Sequence, residues 1–146
     1  MQTLNRYRTE TPDHTIRLGL EIGRQLLPGS VVALHGPLGA GKTTLVKGIA
    51  RSLNIEEAVT SPSFTLIAVY EGNRKGIPIP LYHIDLYRIS HPQEIEDLGI
   101  EEILNGQGIC VIEWAEKAEE FLPESTVQVE ILIGDREKRQ IMVRGI

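Results

Sequence analysis

Apolar and polar positions along this 146-residue chain fall into short blocks, and the blocks predict its elements. Ile16, Leu20, Gly23 and Leu27 recur at helical spacing, with Leu26 beside them. Thr11-Pro12-Asp13 ahead of them reads as a helix start, with Thr11 as cap and Pro12 in the first turn. Pro28-Gly29 supplies the stop. Ser30 to Leu34 (SVVAL) is a short apolar run that predicts a buried strand, followed by a Gly-rich turn from Gly36 to Gly41. A second helix is predicted from Lys42 to Leu53, with Leu45, Ile49 and Leu53 inward.

Beyond the loop 54–63, a strand is predicted over Phe64–Tyr70, turn chemistry over 71–76 and a returning strand over Ile79–Leu86. His91-Pro92 opens a short helix containing Ile95 and Leu98. Ile109-Cys110-Val111-Ile112 is another fully apolar strand, ending at Glu113, and Ala115–Phe121 a short helix before Pro123. Val127–Ile133 and Gln140–Val143 alternate around the polar turn 134–137 and predict a C-terminal antiparallel hairpin. The order α-β-α-β-β-α-β-α-β-β indicates an α/β protein with a mixed sheet.

Composition narrows the class. Hydrophobic residues are 41% and charged residues 24%, which suits a globular domain, and the length suits one domain over 1–146. Fifteen Lys and Arg against twenty Asp and Glu give a net charge of −5, which disfavours independent nucleic-acid binding. The one cysteine, Cys110, has no partner for a disulfide, and the cytoplasm is the expected compartment. No apolar run approaches the roughly 18 residues of a membrane span. The N-terminal MQTLNRYRTETPD has no apolar signal core.

Gly36-Pro37-Leu38-Gly39-Ala40-Gly41-Lys42-Thr43 fits the phosphate-loop pattern G-x-x-x-x-G-K-[ST], with a strand running in and a helix running out. The residue types follow from the task. Glycines let the backbone curl so that several N–H groups converge on one anion. The helix start adds the positive end of its dipole. Lys42 supplies a mobile cation for the β- and γ-phosphates, and the Thr43 hydroxyl is placed to ligate Mg²⁺. Gly36, Leu38, Gly39, Ala40, Gly41, Lys42, Thr43 and Thr44 are the expected nucleotide-binding residues.

Such a loop needs a partner acid at the end of a neighbouring parallel strand. Glu113 stands at the exit of the apolar run 109–112. It reads as a metal or water-positioning group, the competing reading being a cap for the helix after Ala115. His83 and Asp85 share one face of their strand at period two. Asp85 reads as a metal-shell acid or an acceptor orienting the attacking water, against an acid that merely closes a turn. His83 reads as structural, as does His35 at its strand end. Trp114 reads as a packing anchor rather than a stacking platform for a base. The hydroxyls of Thr60, Ser61, Ser63 and Thr65 around Pro62 suit a γ-phosphate-sensing switch, and equally an ordinary turn.

TSPSFTL, HIDLYR and VIEWAEK, in that order after GPLGAGKTT, resemble the small ATPase subunit of bacterial tRNA threonylcarbamoyladenosine biosynthesis, the TsaE/YjeE family. The resemblance runs from about Thr15 to the final hairpin. Pro37 stands where the family more often has Asp, and Ser63 where Thr is common. The resemblance implies a P-loop NTPase three-layer sandwich with a mixed, mostly parallel sheet. It implies slow, partner-dependent, Mg²⁺-dependent ATP hydrolysis that resets the modification complex between turnovers. The implied partners are a transferase-like catalytic subunit and its inactive paralogue, with tRNA held indirectly through them. Carried over by motif, Lys42 and Thr43 bind phosphates and Mg²⁺, Glu113 is a Mg²⁺ ligand, and Asp85 is required for turnover.

Three other functions compete for the same loop. A small-molecule kinase needs an acceptor pocket and an Arg-bearing lid, for which short loops leave little chain. A GTPase needs an N/T-K-x-D guanine reader, which the sequence lacks. A module holding nucleotide only structurally has no use for both Asp85 and Glu113.

Overall fold

In the computed structural model, residues 3–62 and 64–146 are described. In chain order the elements are β1 (Leu4–Thr9), α1 (Pro12–Gln25), β2 (Val31–His35), α2 (Lys42–Ser52), β3 (Ile67–Arg74), β4 (Ile77–Asp85), α3 (Pro92–Asp97), α4 (Ile100–Leu104), β5 (Ile109–Glu113), a 3₁₀ segment (Ala115–Phe121), β6 (Val127–Ile133) and β7 (Arg139–Arg144). The strands form one sheet in the order β1-β7-β6-β2-β5-β4-β3. The central pairs β6·β2, β2·β5 and β5·β4 are parallel, while β1·β7, β7·β6 and β3·β4 are antiparallel. Five of the seven strands therefore point the same way, and the β6–β7 hairpin is the expected antiparallel C-terminal unit.

Two cores sandwich the sheet. On one face α1 and α2 pack over β2, β5, β6 and β7 through Ile22, Leu45, Ile49, Val129 and Ile141. On the other, α3, α4 and the 3₁₀ segment cover β2, β4 and β5 through Ile95, Ile100, Ile84 and Ile112. Strands buried on both faces read as unbroken apolar runs. That is why Val31–Leu34 and Ile109–Ile112 stand out in the sequence, and all eight residues are buried.

The helices α1 and α2 touch at glycines. A Cβ on Gly19 would lie 2.3 Å from the Leu45 carbonyl oxygen, and one on Gly48 2.0 Å from that of Ile16. The buried side of α1 is Thr15, Leu18, Gly19, Ile22 and Gly23 rather than the stripe through Ile16, Leu20 and Leu27. Leu27 lies beyond the helix end and is exposed. Thr11 caps α1 as expected, its hydroxyl accepting from the His14 N–H.

Three further differences have local causes. The sequence pattern does not predict β1, whose outward positions are Leu4, Arg6 and Arg8 and whose inward Tyr7 is its one large apolar contact with the core. Nor does it predict α4, a single turn and a half after Gly99. The strand predicted over Phe64–Tyr70 instead runs from Ile67 to Arg74, and the turn shrinks to Lys75-Gly76, both at positive φ. Tertiary partners hold its polar end extended. The Arg74 guanidinium donates to the Leu26 and Gly23 carbonyls at the end of α1, and the Asn73 N–H to that of Leu53.

Candidate functional site

The buried strand β2 delivers the chain to the carboxyl edge of the sheet, where it curls through Gly36–Gly41 into α2. Gly39 and Gly41 have φ of 79° and 102°. An L side chain there costs about 1–2 kcal/mol, so glycine is the residue that allows the curl. Gly41 is the N-cap of α2 and contributes no side-chain cap. The first N–H groups of an eleven-residue helix are thus left for an incoming anion.

Lys42 lies at the floor of a cleft of about 460 Å³ with only 5% of its surface exposed. Its Nζ donates to the Gly36 carbonyl oxygen at 2.7 Å and sits 4.0 Å from the centre of the Trp114 ring. Burial holds its ammonium below the ordinary lysine value of 10.5, against the opposing pull of Glu113, Asp85 and Glu116. An anion entering the cleft would meet a buried cation whose hydrogen bond is to a neutral carbonyl.

Opposite Lys42, the ends of β4 and β5 lie side by side, with Asp85 in register with Glu113. Both carboxylates are buried, at 6% and 4% exposure. Thr43 Oγ1 donates to Glu113 Oε2 at 3.2 Å, and His83 Nε2 is 2.5 Å from the same oxygen. Asp85 Oδ2 accepts from Ser61 Oγ at 2.9 Å, and Oδ1 from the Tyr87 N–H at 2.9 Å. Among the described residues, no group of three or more His, Cys, Asp or Glu side chains is arranged to hold a metal alone. The cleft instead offers a hydroxyl and two carboxylates beside a phosphate loop. Hard oxygen donors of that kind suit Mg²⁺, which takes one or two carboxylates and completes its shell with phosphate oxygens and water.

Of the expected nucleotide-binding residues, Leu38, Gly39, Gly41, Lys42, Thr43 and Thr44 line the cleft. Ala40 is fully buried behind it, and Gly36 meets Lys42 through its carbonyl. Asp85 and Glu113 are both in place. Glu113 is not a helix cap: the residue at that position is Trp114, and no side chain caps the 3₁₀ segment. Of the switch hydroxyls, Ser61 lines the cleft, Thr60 and Thr65 face solvent, and Ser63 lies outside the described residues. His35 contacts Gln128 and Glu116 away from the cleft.

Other residues at or beside the cleft complete the site. His83 joins the site by touching Glu113, and its other ring nitrogen, Nδ1, is buried without a partner. Tyr87 and Trp114 stack tilted with centroids 5.0 Å apart on the cleft wall. Arg139, ninety-nine residues from Ala40, reaches the loop from behind. The period-two alternation that pairs His83 with Asp85 and the segments HIDLYR and VIEWAEK point to His83, Tyr87 and Trp114, and nothing in the sequence points to Arg139.

Comparison with known proteins follows the same lines. The family model of the threonylcarbamoyl adenosine biosynthesis protein TsaE matches residues 9–141. The chain is 46% identical over 129 residues to the tRNA threonylcarbamoyladenosine biosynthesis protein TsaE of Treponema pallidum, covering 88% of this chain and 92% of that one. It is 42% identical over 141 residues to the protein of the same name from Bacillus subtilis, covering 97% and 85%. The crystal structure of Bacillus subtilis YdiB superposes with a TM-score of 0.80 at 36% identity, over 99% of this chain and 86% of that one.

Proposed function

The chain belongs to the TsaE family, and from that premise we propose that it binds and hydrolyses ATP with Mg²⁺ to reset the complex that makes threonylcarbamoyladenosine in tRNA. The supporting observation is the convergence of Lys42, Thr43, Asp85 and Glu113 on one cleft. Holding a phosphate requires the loop and the lysine; two buried carboxylates facing them are what cleavage requires.

The residues divide the work. The loop amides and the α2 N-terminus bind the phosphates. Lys42 exchanges its bond to the Gly36 carbonyl for a phosphate oxygen, which relieves its desolvation. Thr43 and Glu113 are the groups that would hold Mg²⁺, which would supply positive charge against the negative charge that develops in phosphoryl transfer. His83 fixes the Glu113 carboxylate from behind. Asp85, held by Ser61 and the Tyr87 N–H, accepts a hydrogen bond from the attacking water. The acidic surface leaves tRNA to the partner proteins, a transferase-like catalytic subunit and its inactive paralogue.

Phosphate release from ATP tests this, measured for the chain alone and with the two partners. Slow release that the partners accelerate is expected. Partner-independent transfer of phosphate to a metabolite would establish the small-molecule kinase instead.

A further inference from the structure

We propose that Arg139 is a positioning residue of the phosphate loop, holding its peptide planes so that the amide after Ala40 faces the bound phosphates. The proposal rests on the nucleotide-binding reading above.

Arg139 opens β7, on the far side of β6 from the loop, and reaches across it half-buried. Its Nε donates to the Ala40 carbonyl oxygen at 2.9 Å and Nη2 to that of Gly39 at 3.3 Å. Nη1 is tied to its own hairpin, donating to the carbonyls of Arg136 at 2.9 Å and Lys138 at 2.8 Å. The planar fork is therefore anchored at one end and grips the loop at the other.

A trans peptide points its C=O and N–H in opposite directions. With the Ala40 carbonyl drawn to Arg139, the Gly41 N–H points away from Arg139 and toward the cleft. The next peptide back is fixed at both ends: its carbonyl, from Gly39, meets Arg139, and its N–H, from Ala40, donates to the Pro37 carbonyl at 3.1 Å. Gly39 and Gly41 flank this stretch at positive φ, where a peptide plane turns with little steric resistance. A loop that free presents carbonyl oxygens to an anion part of the time, and Arg139 removes that option. Its four hydrogen bonds all go to backbone carbonyls.

Affinities of the full chain for ADP and for tripolyphosphate, which has no base, test this alongside the ligand-free melting temperature. Arg139→Ala should weaken both ligands by the same factor, roughly tenfold, the size of one lost charge-assisted hydrogen bond. Its melting temperature should stay within about 3 °C of wild type. Arg139→Lys keeps the charge without the fork and should not restore binding. Wild-type affinity in Arg139→Ala, full recovery in Arg139→Lys, or a loss for ADP alone each overturns the proposal. If Arg139→Ala does not fold, Arg139→Gln carries the test: weaker binding supports the role and unchanged binding overturns it. A wild-type chain that binds neither ligand removes the nucleotide reading itself, and this inference with it.

Discussion

On one side of the cleft, residues 36–44 are backed by β2, buried from Val31 to Leu34, by α2 seated glycine-to-glycine on α1, and by the guanidinium of Arg139. On the other side, residues 60–62 and 64–66 are held differently. Pro62 is buried, its carbonyl accepts from the Leu66 N–H, and Leu66 in turn accepts from the N–H of Asp85. The side-chain link from this segment to the reacting groups is the hydroxyl of Ser61 on Asp85. Phe64 at its tip is 86% exposed, with only the Arg88 guanidinium 4.7 Å from its ring centre. The first wall is built in advance, and so is suited to binding. The second, in its described residues, is held mainly by backbone hydrogen bonds at Leu66 and by the link from Ser61 to Asp85.

The largest effects should separate chemistry from affinity. Asp85→Ala and Glu113→Ala should each lower phosphate release by about 10²–10³-fold while changing ATP affinity by less than about tenfold. Wild-type turnover in Asp85→Ala would return that carboxylate to a turn-closing role. Lys42→Ala should do the reverse, weakening ATP by about a hundredfold in a direct titration, because the preformed wall loses a buried cation. Next comes the backing of that wall. Gly48→Ala places a methyl 2.0 Å from the Ile16 carbonyl oxygen, and chemical denaturation should show about 2–3 kcal/mol of lost stability. Ser61→Ala, on the opposite wall, should cost less, about 1 kcal/mol, the size of one hydrogen bond. Equal costs would erase the contrast between the two walls.

Hydrogen exchange gives a finer test. Amides of residues 60, 61 and 64–66 should exchange at least about tenfold faster than those in the middle of α2, and equal protection would contradict the contrast. The smallest effect is a fraction of a proton. The buried Lys42 holds its proton less tightly than a free lysine, so an arriving phosphate raises its pKa, and nucleotide binding at alkaline pH should take up protons. The same shift makes ligand-free stability rise with pH between the lowered value and 10.5, since the unfolded chain binds more protons there. Calorimetry in buffers of different ionisation enthalpy checks the uptake, which should vanish in Lys42→Met.

What was legible in the sequence was contiguous or strictly periodic. The phosphate loop lies within eight residues, Glu113 closes an unbroken apolar run, and alternation along β4 places His83 and Asp85 on one face. The edge strands were not legible, because β1 alternates charged residues outward with few apolar ones inward. The end of β3 owes its conformation to Arg74 and Asn73 gripping distant carbonyls. Arg139 acts through backbone oxygens about a hundred residues away, and no residue pattern records a contact with a carbonyl. The stripe through Ile16, Leu20, Gly23 and Leu27 meets the buried face of α1 only at Gly23, because that face also runs through Gly19, and a glycine adds no hydrophobic signal beside Leu18 and Ile22.

Trp114 is the one indole in the chain, held at a φ of 59° with the Lys42 ammonium against its ring. The protein thereby carries its own optical probe. Whatever draws that cation off the aromatic face alters the local field at a single emitter, so intrinsic fluorescence reads occupancy without a label. A titration curve recorded this way reports one position in space, beside the lysine itself.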